Sequence, residues 1–102
     1  MSNTIHKFDV PTAATFTLRL PDEAQVLMVQ VQNGEPRLWV VVNTDELFMV
    51  TRTFLLYGTG HPLPDDLSGH LYIGTFQRER LVFHLFEDLA APRNGAYTDV
   101  RR

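Results

Sequence analysis

Four histidines, His6, His61, His70 and His84, are the only neutral nitrogen ligands in the sequence, so any metal or acid–base chemistry would have to involve them. Their spacing gives little support. None lies two or four residues from another, and only His84 has a carboxylate pair close after it, Glu87-Asp88. A zinc site would need three or four such residues to converge from separate elements, so no metal is expected and the histidines read as surface or core-edge residues. The acidic pairs Asp22-Glu23, Asp45-Glu46, Asp65-Asp66 and Glu87-Asp88 all fall at predicted turns, where neighbouring side chains point apart and solvation explains them without catalysis. The only serines are Ser2 and Ser68, no nucleophile elbow is present, and cysteine is absent. No catalytic residue and no cofactor is therefore assigned, and a non-enzyme is expected.

One segment does concentrate candidate residues. Gly58-Thr59-Gly60-His61-Pro62-Leu63-Pro64-Asp65-Asp66 is rich in glycine and proline and cannot continue a strand. Its glycine amides invite a phosphate-binding reading, but a nucleotide fingerprint requires a helix after the turn, and Pro62 and Pro64 follow instead. A tight crossover explains the composition better. Long loops nevertheless carry function, so the candidate ligand-binding set is Tyr57, Gly58, Thr59, Gly60, His61, Asp65 and Asp66, with Tyr72 as a further aromatic wall. Arg78 and Arg80, near Phe76 and Tyr72, resemble a base-stacking platform. Glu79 between them and the acidic balance of the chain oppose it, and Arg93, Arg101 and Arg102 form at most a loose basic patch, so no nucleic-acid partner is expected.

The elements that must position these residues are strands. Thr15 to Leu20 alternates polar and apolar residues and places Phe16, Leu18 and Leu20 on one face; Ile5 to Val10 precedes it as a short edge strand ended by Pro11. Val26 to Gln32 and Arg37 to Asn43 flank Asn33-Gly34, the strongest short-range hairpin signal. Both strands are apolar on two faces, which predicts central positions covered on both sides. Leu47 to Tyr57 is long, with Arg52 interrupting its apolar parity, and a bulge is expected near Thr51-Arg52-Thr53. His70 to Gln77 and Leu81 to Phe86 form a second hairpin, in which Gly74 would admit a large side chain such as Trp39 or Phe54. Thr44 to Leu47 has helix-cap chemistry but supports no more than a turn. After Asp88 periodicity ends.

The chain thus reads as one all-β domain over residues 1–87, a small antiparallel β-sandwich or partly open barrel of about seven strands, followed by a flexible C-terminal tail over 88–102. Its 102 residues, 44% hydrophobic and 21% charged with a net charge of −3, fit a single globular domain and exclude disorder and collagen-like repeats. The longest apolar run, Leu38 to Val42, is far below the roughly 20 residues a membrane helix needs. With no apolar leader and no cysteine, the expected location is the cytoplasm, without membrane association.

Several segments are familiar in combination: Val29-Gln30-Val31-Gln32-Asn33-Gly34-x-Pro36-x-Leu38-Trp39, the Tyr57 to Asp66 loop, Tyr72-Ile73-Gly74-Thr75-Phe76-Gln77, and Leu81 to Glu87. Over residues 5–87 the sequence resembles a family of small uncharacterised phage, prophage and bacterial proteins that share a domain of unknown function. The resemblance implies an accessory protein acting in a host cytoplasm and transfers no catalytic residue. The expected function is a protein–protein interaction module, homo-oligomeric and contacting a host or phage protein, with Ile5 to Val10 as the pairing edge. A small-ligand or nucleotide-like sequestering protein using the Gly58 to Asp66 loop is the alternative, and a virion component a second one.

Overall fold

A computed structural model describes residues 2–98 and contains eight strands and no helix among them. β1 (Asn3–Asp9), β4 (Glu35–Asn43) and β3 (Gln25–Gln32) form one antiparallel sheet in that order; β2 (Thr15–Pro21), β5 (Phe48–Gly58), β7 (Leu81–Asp88) and β6 (His70–Arg78) form the other, with β8 (Gly95–Tyr97) also paired to β5. The protein is an all-β sandwich of two antiparallel sheets, three-stranded and five-stranded.

Alternation builds the core. β4 buries Pro36, Leu38, Val40 and Val42 and turns the intervening residues outward, while β2 and β5 bury Phe16, Leu20, Val50, Phe54 and Leu56 from the opposite sheet. Phe16 and Phe54, directly opposite in register, stack at 5.3 Å. Each fully buried Leu or Phe contributes about 1.5–3 kcal/mol relative to exposure. Asn33 and Gly34 both take positive φ (53° and 80°), as a two-residue hairpin turn requires. Glu79, at φ 56°, serves the β6–β7 hairpin similarly.

Five expectations are corrected. β3 is an edge strand, and only β4 is central in its sheet. Neither is covered on both faces, because a two-layer sandwich leaves each outer face to solvent. The bulge expected in β5 is absent: β2 pairs it without a break from Thr15↔Leu55 to Pro21↔Met49, and Arg52 is accommodated by burial instead. Bulges fall in β3, between Val26 and Met28, and in β6, between Tyr72 and Gly74. Both are edge strands, where one unpaired side tolerates an extra residue. Gly74 receives neither Trp39 nor Phe54 but Val29, whose Cγ1 would lie 2.8 Å from a Cβ added at that glycine. Glu87 and Asp88 belong to β7 and not to a turn.

The segment after Asp88 also differs from an unpaired tail. Residues 95–97 add β8 to β5 beyond the reach of β7, Thr51 N–H donates to Asn94 O at 2.9 Å, and Tyr97 packs edge-on against Phe48 at 4.9 Å. Pairing with a strand already in place needs no periodicity of its own, which is why this short segment left no pattern. Arg93 ion-pairs with Glu87; Arg101 and Arg102 lie outside the described residues.

Candidate ligand-binding site

Cross-strand register assembles the site on the outer face of the five-stranded sheet. Tyr57 is opposite His84, which is opposite Thr75; one step along, Leu55 is opposite Phe86, which is opposite Tyr72. In a regular strand Tyr72 and Thr75, three residues apart, would face opposite sides. The β6 bulge at Ile73 restores them to one face, and the Tyr72 hydroxyl hydrogen-bonds the Thr75 hydroxyl at 2.5 Å.

From Thr75 the polar contacts continue. Thr75 Oγ1 meets His84 Nδ1 at 2.8 Å, and His84 Nε2 meets Thr59 Oγ1 at 2.7 Å, so both imidazole nitrogens are engaged and the ring is fixed. Thr59 is held in turn by its N–H, which donates to Val82 O at 3.0 Å. Tyr57 stacks on His70 with ring centres 6.0 Å apart, and its hydroxyl lies 3.0 Å from His70 Nε2. Phe86 stands edge-on to Tyr57, His70 and Tyr72 at 5.7, 5.7 and 5.4 Å. Such edge-on pairs contribute about 0.5–1.5 kcal/mol each beyond their burial.

Against this surface the loop after β5 folds back. His61 N–H donates to Gly58 O at 3.1 Å, and its ring lies so close to Gly58 that an added Cβ would be 3.1 Å from it. A cavity of about 240 Å³ results, lined by Tyr57, Gly58, Thr59, Gly60, His61, Leu63, His84 and Phe86. The structure thus brings Tyr57 through His61 together around this cavity. Tyr72 does not line the cavity: it packs on Phe86 and is linked to His84 through the Thr75 hydroxyl.

Asp65 and Asp66 do not line it. Both are exposed, and Asp66 Oδ1 accepts the Ser68 N–H at 2.9 Å, which holds its carboxyl below the usual carboxylate range, helped by the Ser68 side chain and by proximity to His70. Leu63, His84 and Phe86 are the lining residues that sequence reasoning missed. Strand parity alone places His84 and Phe86 on one face, but their position beside Tyr57 depends on register between non-consecutive strands. His61 and His84 border the cavity, His70 sits behind Tyr57, and His6 lies in the other sheet; no three metal-binding side chains converge among the described residues. Arg78 is tied to Thr12 and Glu35, and Phe76 is buried, so they form no stacking platform. Among the described residues no helix is long and apolar enough to cross a membrane.

The class is therefore a two-sheet antiparallel β domain with an aromatic–histidine cavity beside the β5–β6 crossover. The model of the domain of unknown function DUF7352 matches residues 1–95, and the chain belongs to that family. The match extends beyond residues 5–87 and takes in the crossing from β7 towards β8. No curated protein and no solved structure matches.

Proposed function

We propose that this domain is a non-enzymatic interaction module that associates through the free edge of β1, pairing with a second copy of itself. The accessory role against a host or phage protein, in a phage or prophage setting and in the cytoplasm, belongs to the same proposal and is supported by the sequence resemblance alone.

The observation that carries the reading is an unguarded edge. Thr44 N–H donates to Ser2 O and Val10 N–H to Pro36 O. The even-numbered residues of β1 therefore turn their backbone polar groups towards β4, and by the two-residue period Asn3, Ile5, Lys7 and Asp9 turn theirs away from it. The strand has seven residues in unbroken register, with no proline and no bulge. Its one lysine, the usual guard of an edge, is drawn across the sheet face instead: Lys7 Nζ bonds Gln32 Oε1 at 2.8 Å and lies over the Trp39 ring at 6.0 Å. Ile5, 57% exposed, sits opposite Val41, and exposed Met28 is opposite Trp39 on the far side of β4, so an apolar patch lies on the outer face beside this edge, flanked by Lys7 and the Arg37–Asp9 ion pair.

The strand is also complementary to itself. An antiparallel pair centred on His6 opposes Asn3 to Asp9, Thr4 to Phe8 and Ile5 to Lys7, uses all seven residues and places no like charges directly opposite. Centring on Lys7 would set two ammonium groups face to face. Sedimentation velocity across a concentration series tests the reading: a dimer that dissociates on dilution is expected, and Ile5→Pro, which removes an outward donor, should leave a folded monomer. A wild-type monomer at every concentration, or a dimer indifferent to Ile5→Pro, would overturn it.

A further inference from the structure

The cavity beside the β5–β6 crossover differs in kind from an oxyanion or nucleotide site. Its walls are the rings of Tyr57, His61, His84 and Phe86 with the Leu63 side chain, and no carboxylate, lysine or arginine lines it. Arg80 borders an adjoining depression that shares Gly58, Thr59 and His61 with the cavity but does not line the cavity itself, so a phosphate seated among the rings would meet no permanent cation.

The walls are preorganised. His84 is bonded at both nitrogens by Thr59 and Thr75, and Phe86 is held by three rings, so neither must be ordered by a ligand. That removes the cost of ordering these side chains on binding. The His61 ring rests directly on Gly58, a contact that any larger residue at that position would displace. A cavity of about 150 Å³ is enough for benzene, so about 240 Å³ has space for one or two fused rings.

We infer that this cavity is a binding site for a neutral, planar aromatic small molecule, a free heterocycle and not its phosphorylated nucleotide. The rings supply faces and edges for the ligand's faces and edges, while the Thr59 hydroxyl and the Gly58 to Gly60 backbone offer polar contacts at its rim. The site lies on the five-stranded sheet and stands independently of the β1 edge on the other sheet.

Titration of the ¹⁵N-labelled full chain with indole, adenine and AMP, followed at the Thr59, Gly60, His61 and His84 amides, tests the assignment. Indole or adenine should shift these amides saturably, AMP should bind no more tightly than adenine, and Leu63→Trp, which fills the cavity from an exposed position, should weaken binding about tenfold or more. Phe86→Ala should do the same by removing one wall. Absence of saturable shifts with both neutral probes, binding unchanged in Leu63→Trp, or tighter binding of AMP than of adenine would overturn it.

Discussion

Arg52 and Glu87 form a bidentate ion pair inside the sandwich: Arg52 Nε donates to Glu87 Oε2 at 2.7 Å and Arg52 Nη2 to Oε1 at 2.6 Å, with the two residues 6% and 1% exposed. The remaining guanidinium nitrogen donates to Ala24 O, and Arg93 adds a second cation at Glu87 Oε2. The pair sits where β5 exchanges one neighbour, β7, for another, β8, and ties β5, β7 and the β2–β3 turn together. Taking two charges out of water costs several kcal/mol per ion, which only complete mutual satisfaction offsets.

Breaking that pair should therefore cost more than replacing it. Glu87→Ala strands a buried guanidinium and is expected to destabilise by about 3–5 kcal/mol in urea unfolding, whereas Arg52→Met with Glu87→Leu should recover most of that loss. Arg93→Ala, at a half-exposed partner, should cost about 1 kcal/mol or less. Equal losses in the single and double core variants would contradict this account.

The close approach of β3 to β6 depends on the missing side chain at Gly74. Gly74→Ala places a methyl 2.8 Å from Val29 Cγ1 and should cost about 1–3 kcal/mol. Val29→Ala in the same chain should relieve the clash, so the two substitutions combine to less than the sum of their separate costs. Strict additivity in thermal or urea melts would show that this contact does not set the spacing of the layers.

Much of this architecture was legible in the residues. The Thr15 to Leu20 alternation, the Asn33-Gly34 turn and the breaker-rich loop after Tyr57 each specify local structure by chemistry that acts over a few residues. What escaped was set by partners distant in sequence. Arg52 looked like an interruption because its counter-ion is 35 residues away, and β8 has too few residues to show a period. Tyr57 through His61 could be named as a candidate set because they are contiguous; His84 and Phe86 could not, since their place beside Tyr57 follows from β5–β7 pairing across an 11-residue crossover and another strand. Asp65 and Asp66 share the same contiguity, yet their loop turns them to solvent.

The Asp66–Ser68 turn should have an acid signature. Hydrogen bonding to Ser68 lowers the Asp66 carboxyl below its ordinary 3.8. The contribution of this turn is therefore fully present above the unfolded-state value and is lost as pH falls through the lower folded-state value. A carboxyl-detected NMR titration should place the Asp66 midpoint below 3.8, and Ser68→Pro, which removes the donating N–H, should raise it. A midpoint at or above 3.8 would remove the turn's electrostatic role.

The His6-centred register makes a charge-placement prediction. Ile5→Lys sets that lysine against Lys7 of the second copy, twice per dimer, and should weaken association about tenfold or more at low salt. Adding Lys7→Ile restores an unlike pair at both positions and should return most of the affinity. Failure of the second change to rescue the first, by sedimentation, would rule out that register.

The β1 edge is read most directly by hydrogen exchange. His6 and Phe8 amides point to β4 and should be protected at all concentrations, whereas the Ile5 and Lys7 amides point away and should gain protection only as protein concentration rises through the dimer range. Fast exchange of Ile5 and Lys7 at every concentration would contradict the proposed strand pairing.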